Sequence, residues 1–397
     1  MTVTGVPAKN SQLTAIEESG WGERFKLIQP HNPAFWVYVI GVGLGAVGLI
    51  KYFGPAFGTY RLAVTSGIIF FGIYLIPWLL FLRRQNRYTA QPAGLLGAGF
   101  LWGGVAATFW IALPANTALL EIWTKLLGPT GAGTWGAGLS APINEEWGKA
   151  LGLILLIALA PRLVRSAYDG FIIGAFIGLG FQVFEDVLYA YNNATSSFGV
   201  GQLESSLFIL AVRGFVGITS HALFSAVFCA GVMWILGRTP GERRVGRGVA
   251  ACLAAMFLHF AWDDAAGLFQ GVTFLLIAGP YLILMPLAIV VLLVVRRLAS
   301  SKERLWMREL LAPEVESGVI DQPLLDAVSG LHKDRRHFRK LVHSRRRARH
   351  LIESAHDLAQ EIATSGGHET PRVAHARAEV LRLRGGPALA APPRPLP

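Results

Sequence analysis

The chain has 397 residues, of which 53% are hydrophobic and only 15% are charged, and its mean hydropathy is +0.45. A soluble globular domain carries about 25% charged residues, so the composition of the whole chain is not that of a soluble globular protein. The formal net charge of +11 does not indicate nucleic-acid binding, because in the apolar part Lys and Arg cluster at the ends of apolar runs, where they set membrane topology. The composition is that of a polytopic membrane protein.

Apolar runs of about 20 residues, the length that crosses a bilayer, recur through the first 300 residues. We predict an all-α polytopic membrane protein with about eight transmembrane helices, at residues 34–53, 61–82, 93–113, 142–160, 170–192, 210–236, 247–268 and 273–295. The most basic loops follow the second, fourth, sixth and eighth spans, so the positive-inside rule predicts that these loops and both termini are cytoplasmic. The Gly-rich loop 114–141 is expected to form an interfacial or re-entrant helix.

The composition changes abruptly near Ser300, and this sets the expected domains. They are a cytoplasmic N-terminal tail at 1–30, a transmembrane domain at 31–298, a basic helical cytoplasmic region at 299–385 and a Pro-rich disordered end at 386–397. Within the third, residues 332–363 predict one basic, partly amphipathic helix. Its expected neighbour is the anionic surface of the lipid bilayer, with a protein partner as the alternative.

Four predicted spans carry ionisable residues away from their ends, where each costs roughly 2.5–3.5 kcal/mol on insertion scales. Such groups pair with one another, face a wet cavity or do chemistry. They are Glu145, Glu146 and Lys149 in the fourth span, Glu185 and Asp186 in the fifth, Arg213 and His221 in the sixth, and His259, Asp263 and Asp264 in the seventh.

Counting residues from each cytoplasmic anchor predicts that these groups share one depth. Glu146, Glu185, His221 and Asp263 each lie 16 or 17 residues from their anchor, which is roughly 24 Å at the rise of an α-helix. His259 is one turn from Asp263 on the same face. We therefore expect a cluster in the outer half of the bilayer. Simpler interpretations are a helix-start ion pair between Glu146 and Lys149, and a hydrogen bond between His259 and Asp263.

Three kinds of chemistry fit such a cluster. A carboxylate can deprotonate water for attack on a carbonyl while imidazoles stabilise the oxyanion; two His with carboxylates can hold a zinc-like ion; or the groups can relay protons in a transporter. Arg213 is expected to be a counter-ion for the carboxylates, whereas Asp186 and Asp264 are expected to lie outside the cluster.

Four short motifs in chain order resemble those of the PrsW family of intramembrane proteases, which are relatives of the CAAX prenyl endopeptidases. The family pattern is EExxK, FxxxE, a His-led motif and HxxW-D/N. The matching residues are Glu145, Glu146 and Lys149, then Phe181 and Glu185, then His221, then His259 with Asp263. The resemblance covers about residues 95–270.

The resemblance implies an intramembrane endopeptidase in which water is activated by glutamate. Glu146 would be the leading general base, with Glu145 close behind; His221 and His259 would orient water or stabilise the oxyanion, and Glu185 would complete the catalytic set. Lys149, Phe181, Asp263 and Arg213 would support it. The reaction would need either no cofactor or one divalent ion such as zinc, which would be held by Glu146, Glu185, His221 and His259. The absence of tight ligand spacing in the sequence favours a metal-free reaction. The implied substrate is a single-pass protein of a bacterial-type cell membrane, such as an anti-sigma regulator.

Two other functions remain open from the residues. A proton-coupled transporter would use the same Glu/His/Asp cluster as a relay, and inverted repeats would favour it. A non-catalytic scaffold would present the basic tail to partners. Loss of one charge in the cluster would leave a scaffold working, whereas a protease would fail.

Overall fold

The structure is a computed structural model that describes residues 8–267 and 274–385. Within these described residues the chain forms helices and no strands, which confirms the all-α prediction. In chain order the α-helices are α1 (Ala8–Ser19), α2 (Pro33–Phe53), α3 (Ala56–Thr59), α4 (Arg61–Asn86), α5 (Ala93–Leu101), α6 (Leu113–Leu159), α7 (Ala167–Ser196), α8 (Gln202–Val216), α9 (His221–Leu236), α10 (Val245–Gly267), α11 (Phe274–Ala299), α12 (Ser301–Glu316), α13 (Gln322–Ser329), α14 (His332–Leu341), α15 (Arg345–Thr364) and α16 (Pro371–Arg384).

The chain divides into two compact units. The membrane unit comprises residues 25–86 and 91–299, and the terminal unit comprises residues up to 24, residues 87–90 and residues from 300 on. The Pro-rich end predicted at 386–397 and the predicted span boundaries at 268 and 273 lie outside the described residues.

Seven helical runs of the described residues are long and apolar enough to cross a membrane, and one of them contains two of the eight predicted spans. The run Ala93–Leu159 has 67 residues, which at 1.5 Å per residue is about three times the thickness of a bilayer. A π-helical segment, Trp102–Ala112, joins α5 to α6, and α6 itself is broken at Gly128, whose φ of 72° and ψ of 168° are not helical. The predicted third and fourth spans therefore lie on either side of this break.

The predicted sixth span, 210–236, is not one helix. α8 ends at Val216, a 3₁₀ turn covers Gly217–Thr219, and α9 begins at His221. The side-chain amide of Gln182 on α7 donates to the Gly217 carbonyl oxygen at 3.0 Å, which satisfies a backbone acceptor that the break frees. As a result His221 is the first residue of a helix.

Glycines of α7 let α9 approach closely. A Cβ atom at Gly178 would lie 2.2 Å from the carbonyl oxygen of His221, and one at Gly174 would lie 2.4 Å from that of Ser225. Small residues four apart allow such backbone contact between helices. This packing fixes the depth of His221 against α7.

The terminal unit is a helical body with its own hydrophobic core. Ala15 of α1, Trp306 of α12 and Leu358 of α15 all belong to that core. The predicted single helix 332–363 is two helices, α14 and α15, because His343 adopts a left-handed φ of 56° and the Ser344 side chain caps α15 by accepting from a backbone N–H.

Residues 87–90, the connection between α4 and α5, pack inside the terminal unit. The Tyr88 ring lies edge-on to His356, with 5.4 Å between centroids. The Arg335 guanidinium lies 4.9 Å from the centroid of the same ring, and Arg87 pairs with Glu353 at 3.5 Å. The connection is therefore held by both an aromatic and an ionic contact.

Candidate active site

Four helices bring the predicted site residues together in the membrane unit. α6 carries Glu145, Glu146 and Lys149, α7 carries Glu185, α9 begins at His221, and α10 carries His259 and Asp263. Glu146, Lys149 and His259 have no measurable exposure, and Glu145 and His221 are 3% exposed. The common depth expected from the sequence therefore corresponds to direct contact between side chains.

Lys149 lies at the centre of this cluster. Its ammonium donates to Glu146 Oε1 at 2.9 Å, to Glu145 Oε2 at 3.3 Å and to His221 Nδ1 at 3.0 Å, and it lies 3.9 Å from the centroid of the Phe181 ring. A buried ammonium needs such compensation, since burying an isolated charge is very costly. Lys149 thus holds both glutamates and the imidazole around one point.

His221 links Lys149 to a second cation. Because the ammonium can only donate, His221 Nδ1 accepts from Lys149, and Nε2–H donates to Glu185 Oε2 at 2.8 Å. The same carboxylate oxygen accepts from Arg213 at 2.6 Å. Arg213 also donates to Asp186, which was expected to lie outside the cluster. Two carboxylates therefore share one guanidinium behind His221.

His259 lies among three carboxylates without a well-aligned hydrogen bond. Its Nδ1 is 3.2 Å from Glu146 Oε1, and its Nε2 is 3.6 Å from Glu145 Oε2 and 3.4 Å from Asp263 Oδ2. Neither ring nitrogen has a hydrogen-bond partner of good geometry. The ring stacks on Phe224, with centroids 5.1 Å apart and planes 23° apart, so its orientation is set by packing.

A cavity of about 350 Å³ adjoins this cluster. Three carboxylates line it, those of Glu145, Glu185 and Asp263, together with the Phe181 ring. Glu146 is not among the lining residues. It lies behind them, where Oε2 accepts from Ser225 at 3.0 Å. Of the two adjacent glutamates, Glu145 is therefore the one that faces space large enough for a substrate.

Two residues that contact the site glutamates were not selected from the sequence. Asn116 lines the cavity and donates to Glu145 Oε1 at 3.0 Å, and Ser225 donates to Glu146 Oε2. Neither side chain carries a charge that would mark it, since Asn116 lies in the predicted loop 114–141 and Ser225 in an apolar run. Asp264, which was expected to lie outside the cluster, accepts from the Gly138 backbone N–H at 2.9 Å.

The donor set fits a divalent metal ion. Among the described residues, Glu145, His221 and His259 each offer a ligand atom within 4.8 Å of the others, and Glu145 Oε2 lies 3.6 Å from one nitrogen of each imidazole. Two His with one Glu is a known zinc-binding set, and His259 has nitrogens without hydrogen-bond partners. Of the glutamates named as ligands from the sequence, Glu146 is engaged by Lys149 and Ser225, and Glu185 by Arg213 and His221.

Comparison with known proteins agrees with this geometry. Residues 91–295 match the family model described as PrsW family intramembrane metalloprotease. Neither a curated protein nor a solved structure matches the chain. The matched residues make up more than half of the chain and contain every side chain of the cluster. The protein is thus a multi-pass membrane hydrolase that belongs to the PrsW family of intramembrane proteases.

Proposed function

We propose that the protein hydrolyses peptide bonds of single-pass membrane proteins, of which anti-sigma regulators are one class, in the outer half of a bacterial-type cell membrane. The observation that carries this proposal is the cavity lined by the carboxylates of Glu145, Glu185 and Asp263. Behind it, one ammonium and two buried imidazoles lie within 3.6 Å of Glu145 Oε2. Peptide hydrolysis requires a general base, groups that stabilise a developing oxyanion, and space for the substrate and a water.

Glu145 is our candidate for the general base. A water between Glu145 and the scissile bond gives its proton to the carboxylate as its oxygen adds to the carbonyl carbon, and the carbonyl π electrons move onto oxygen. The protonated Glu145 then donates that proton to the amide nitrogen as the C–N bond breaks. The oxyanion re-forms the C=O bond as the nitrogen leaves, which gives a carboxylic acid, a neutral amine and the original Glu145 carboxylate. Transfer of a proton from the acid to the amine then gives a carboxylate and an ammonium group, so atoms and charge balance.

The surrounding residues orient Glu145 and stabilise the oxyanion. The Lys149 ammonium provides positive potential near Glu145 Oε2, and His259 Nε2, 3.6 Å from the same oxygen, provides an N–H group; fixed dipoles of this kind stabilise developing charge strongly. His221 Nδ1 accepts from Lys149 and so orients the ammonium. Glu185 holds the tautomer of His221, as a carboxylate commonly does for a functional histidine. Glu146 and Ser225 hold the inner side of the cluster.

A divalent ion, if the protein uses one, would be held by Glu145, His221 and His259. When bound it would polarise the carbonyl and lower the pKa of its water. The lone pair of His221 Nδ1 that would bind the ion is the one that accepts from Lys149, so the ion and the ammonium compete for this nitrogen. The same chain residues serve a metal-free reaction, with Lys149 as the cation.

The decisive experiment is a map of new protein termini in membranes from cells that express the wild type or Glu145→Gln. Fragments of membrane proteins should appear with the wild type and vanish with the variant, because the amide keeps the shape of the carboxylate but cannot take a proton. Glu121→Gln, the same change at an exposed position, is the matched control and should give the wild-type map. Identical maps for all three folded proteins would reject the proposal in favour of transport or a scaffold.

The metal is tested on the purified full chain after chelation. If zinc serves the reaction, activity disappears on chelation and returns with zinc, and Glu145→Gln, His221→Ala and His259→Ala each weaken zinc binding. His375→Ala, in the terminal unit, is the control. Full activity after complete chelation would assign the reaction to Glu145 without a metal.

A further inference from the structure

Asn116 makes the contact that fixes the outer oxygen of Glu145. Its side-chain amide donates to Glu145 Oε1 at 3.0 Å, while the other oxygen, Oε2, faces Lys149 and the two histidines. Asn116 stands on the first limb of α6, between the π-helical segment and the break at Gly128. It therefore reaches Glu145 from a part of the chain that carries none of the family motifs.

A second asparagine sets the orientation of this amide. Asn144 Nδ2 donates to Asn116 Oδ1 at 3.0 Å. Because the oxygen of Asn116 is the acceptor in that bond, its NH₂ group is the one that points to the carboxylate, and the network assigns which way the amide lies. Asn144, Asn116 and Glu145 thus form one directed chain of hydrogen bonds.

The segment that carries Asn116 is held by contacts on both of its limbs. Trp123 Nε1 donates to Ser140 Oγ at 3.1 Å, which joins the first limb to the second. The second limb is fixed to α10, since the Gly138 N–H donates to Asp264 and a Cβ there would lie 2.4 Å from the Asp264 carboxylate. The packing of the segment therefore positions Asn116.

We propose that Asn116 is a positioning residue: it holds Glu145 Oε1 so that Oε2 is directed at the reacting water and the two histidines. This inference rests on the proposed function. Groups that orient a reactive or metal-binding carboxylate commonly matter nearly as much as the carboxylate itself. Without the bond, Glu145 would rotate about its terminal torsion, which is broad in free side chains.

The test is a double-mutant cycle on the full chain, and its substrate is the intact membrane protein whose fragment the terminus map identifies. Asn116→Ala should lower kcat by roughly 10- to 100-fold, with KM nearly unchanged because Asn116 acts through Glu145 and not on the substrate. Asn144→Ala should lower kcat less, since it acts only through Asn116. The double variant should match Asn116→Ala within about twofold, because residues that act in one chain are not additive.

Thr124→Ala is the matched control, since Thr124 lies on the same limb of α6 and its hydroxyl donates to the Leu120 carbonyl oxygen, but it is not among the residues that line the cavity. It should keep wild-type kcat. Asn116→Leu retains the side-chain volume, so it replaces the alanine variant if that one unfolds. A wild-type kcat in both Asn116 variants, a change in KM alone, or multiplying effects in the double variant would overturn the inference while Glu145→Gln remained inactive. An active Glu145→Gln would instead remove the proposed function.

Discussion

Glu145 and Glu146 are neighbours in the chain but have different surroundings. Glu145 faces the cavity and accepts a hydrogen bond from Asn116. Glu146, in contrast, is fully buried against Lys149, His259 and Ser225. Successive residues of a helix differ by about 100° in direction, so only one of the two can face the cavity. We therefore assign chemistry to Glu145 and support of the buried cation to Glu146.

This assignment predicts different stabilities for the two glutamine variants. Glu146→Gln removes the nearest carboxylate of a fully buried ammonium, and breaking a buried pair from one side costs about 3–5 kcal/mol. Glu145→Gln leaves the contact at 2.9 Å between Glu146 and Lys149, so its cost should be smaller. Thermal unfolding in detergent should show the lower Tm for Glu146→Gln.

The control for this prediction removes the cation as well. In the double variant Glu146→Gln with Lys149→Met the unpaired ammonium is gone. Glu145 loses its bond from Lys149 but keeps the one from Asn116, so Tm should recover in part, although activity should not. Equal losses of Tm in the two single variants, or no recovery in the double variant, would show that Glu146 does not specifically support Lys149.

The helical rise made most of the site predictable from the sequence. Because it is constant, counting residues was enough to expect Glu185, His221 and Asp263 at one depth. The rotation of each helix was not predictable, because it depends on packing such as that of Gly152, where a Cβ would lie 2.2 Å from the Trp102 ring. The contact of Asn116 was not predictable either, because no helical periodicity in the sequence links a polar residue between two spans to a glutamate 29 residues away.

At the scale of the elements, the close approach of α7 to α9 holds His221 in the site. Gly178→Ala would place a methyl group 2.2 Å from the His221 carbonyl oxygen, and overpacking of this kind costs about 1–3 kcal/mol. We expect a lower Tm and a lower kcat, because the backbone at the start of α9 must shift. Thermal unfolding and the cleavage assay measure both.

Gly43→Ala on α2 is the matched control, since nothing lies within 4 Å of a Cβ atom there. It should be neutral or raise stability by about 0.5–1 kcal/mol, the difference between Gly and Ala in a helix. If Gly178→Ala behaved like Gly43→Ala, α9 would have room to move and the contact would not fix His221.

In the terminal unit, α15 carries a buried histidine that makes stability depend on pH. Burial lowers the pKa of His356 to about 3, and the charges of Arg335 and Arg87 add to this effect. The unfolded chain takes up a proton below about pH 6.5, but the folded unit does not until about pH 3. The free energy of unfolding therefore has its full value above pH 6.5 and decreases as the pH falls from 6.5 towards 3. The decrease is about 2 kcal/mol at pH 5.

Hydrogen exchange of the α15 amides in the full chain measures this loss. The opening free energy should fall between pH 7 and pH 5 in the wild type, after correction for the intrinsic exchange rate. His356→Leu removes the titrating group and should flatten that part of the dependence. The same slope in both proteins would mean that other groups in the unit titrate and that His356 is not responsible.

At the scale of the whole molecule, the composition of the terminal unit limits the number of membrane crossings. The unit gathers the N-terminal segment, residues 87–90 and the residues from 300 on into one compact body. A packed body rich in charged residues lies in water on one side of a membrane, so the chain between any two of its parts crosses an even number of times. Among the described residues, 25–86 contain two helices that are long and apolar enough to cross, and 91–299 offer six crossings only if the run Ala93–Leu159 crosses twice. Eight crossings satisfy this condition and seven do not, independently of the charges of the loops.

Labelling of single cysteines tests this topology and its orientation. With Cys229 and Cys252 replaced by alanine, Asn10→Cys and Glu369→Cys report on two distant parts of the terminal unit, and both positions are exposed. Val200→Cys, at a position 77% exposed between the fifth and sixth spans, reports on the other face. An impermeant maleimide should label Asn10→Cys and Glu369→Cys only in inverted vesicles, because the basic loops predict a cytoplasmic terminal unit. It should label Val200→Cys only in intact cells.

Labelling of Asn10→Cys and Glu369→Cys from opposite sides would require an odd number of crossings. If all three labels exchanged sides together, the count of eight would stand and the orientation would be reversed, which would move the cavity at Glu145 into the cytoplasmic half of the bilayer.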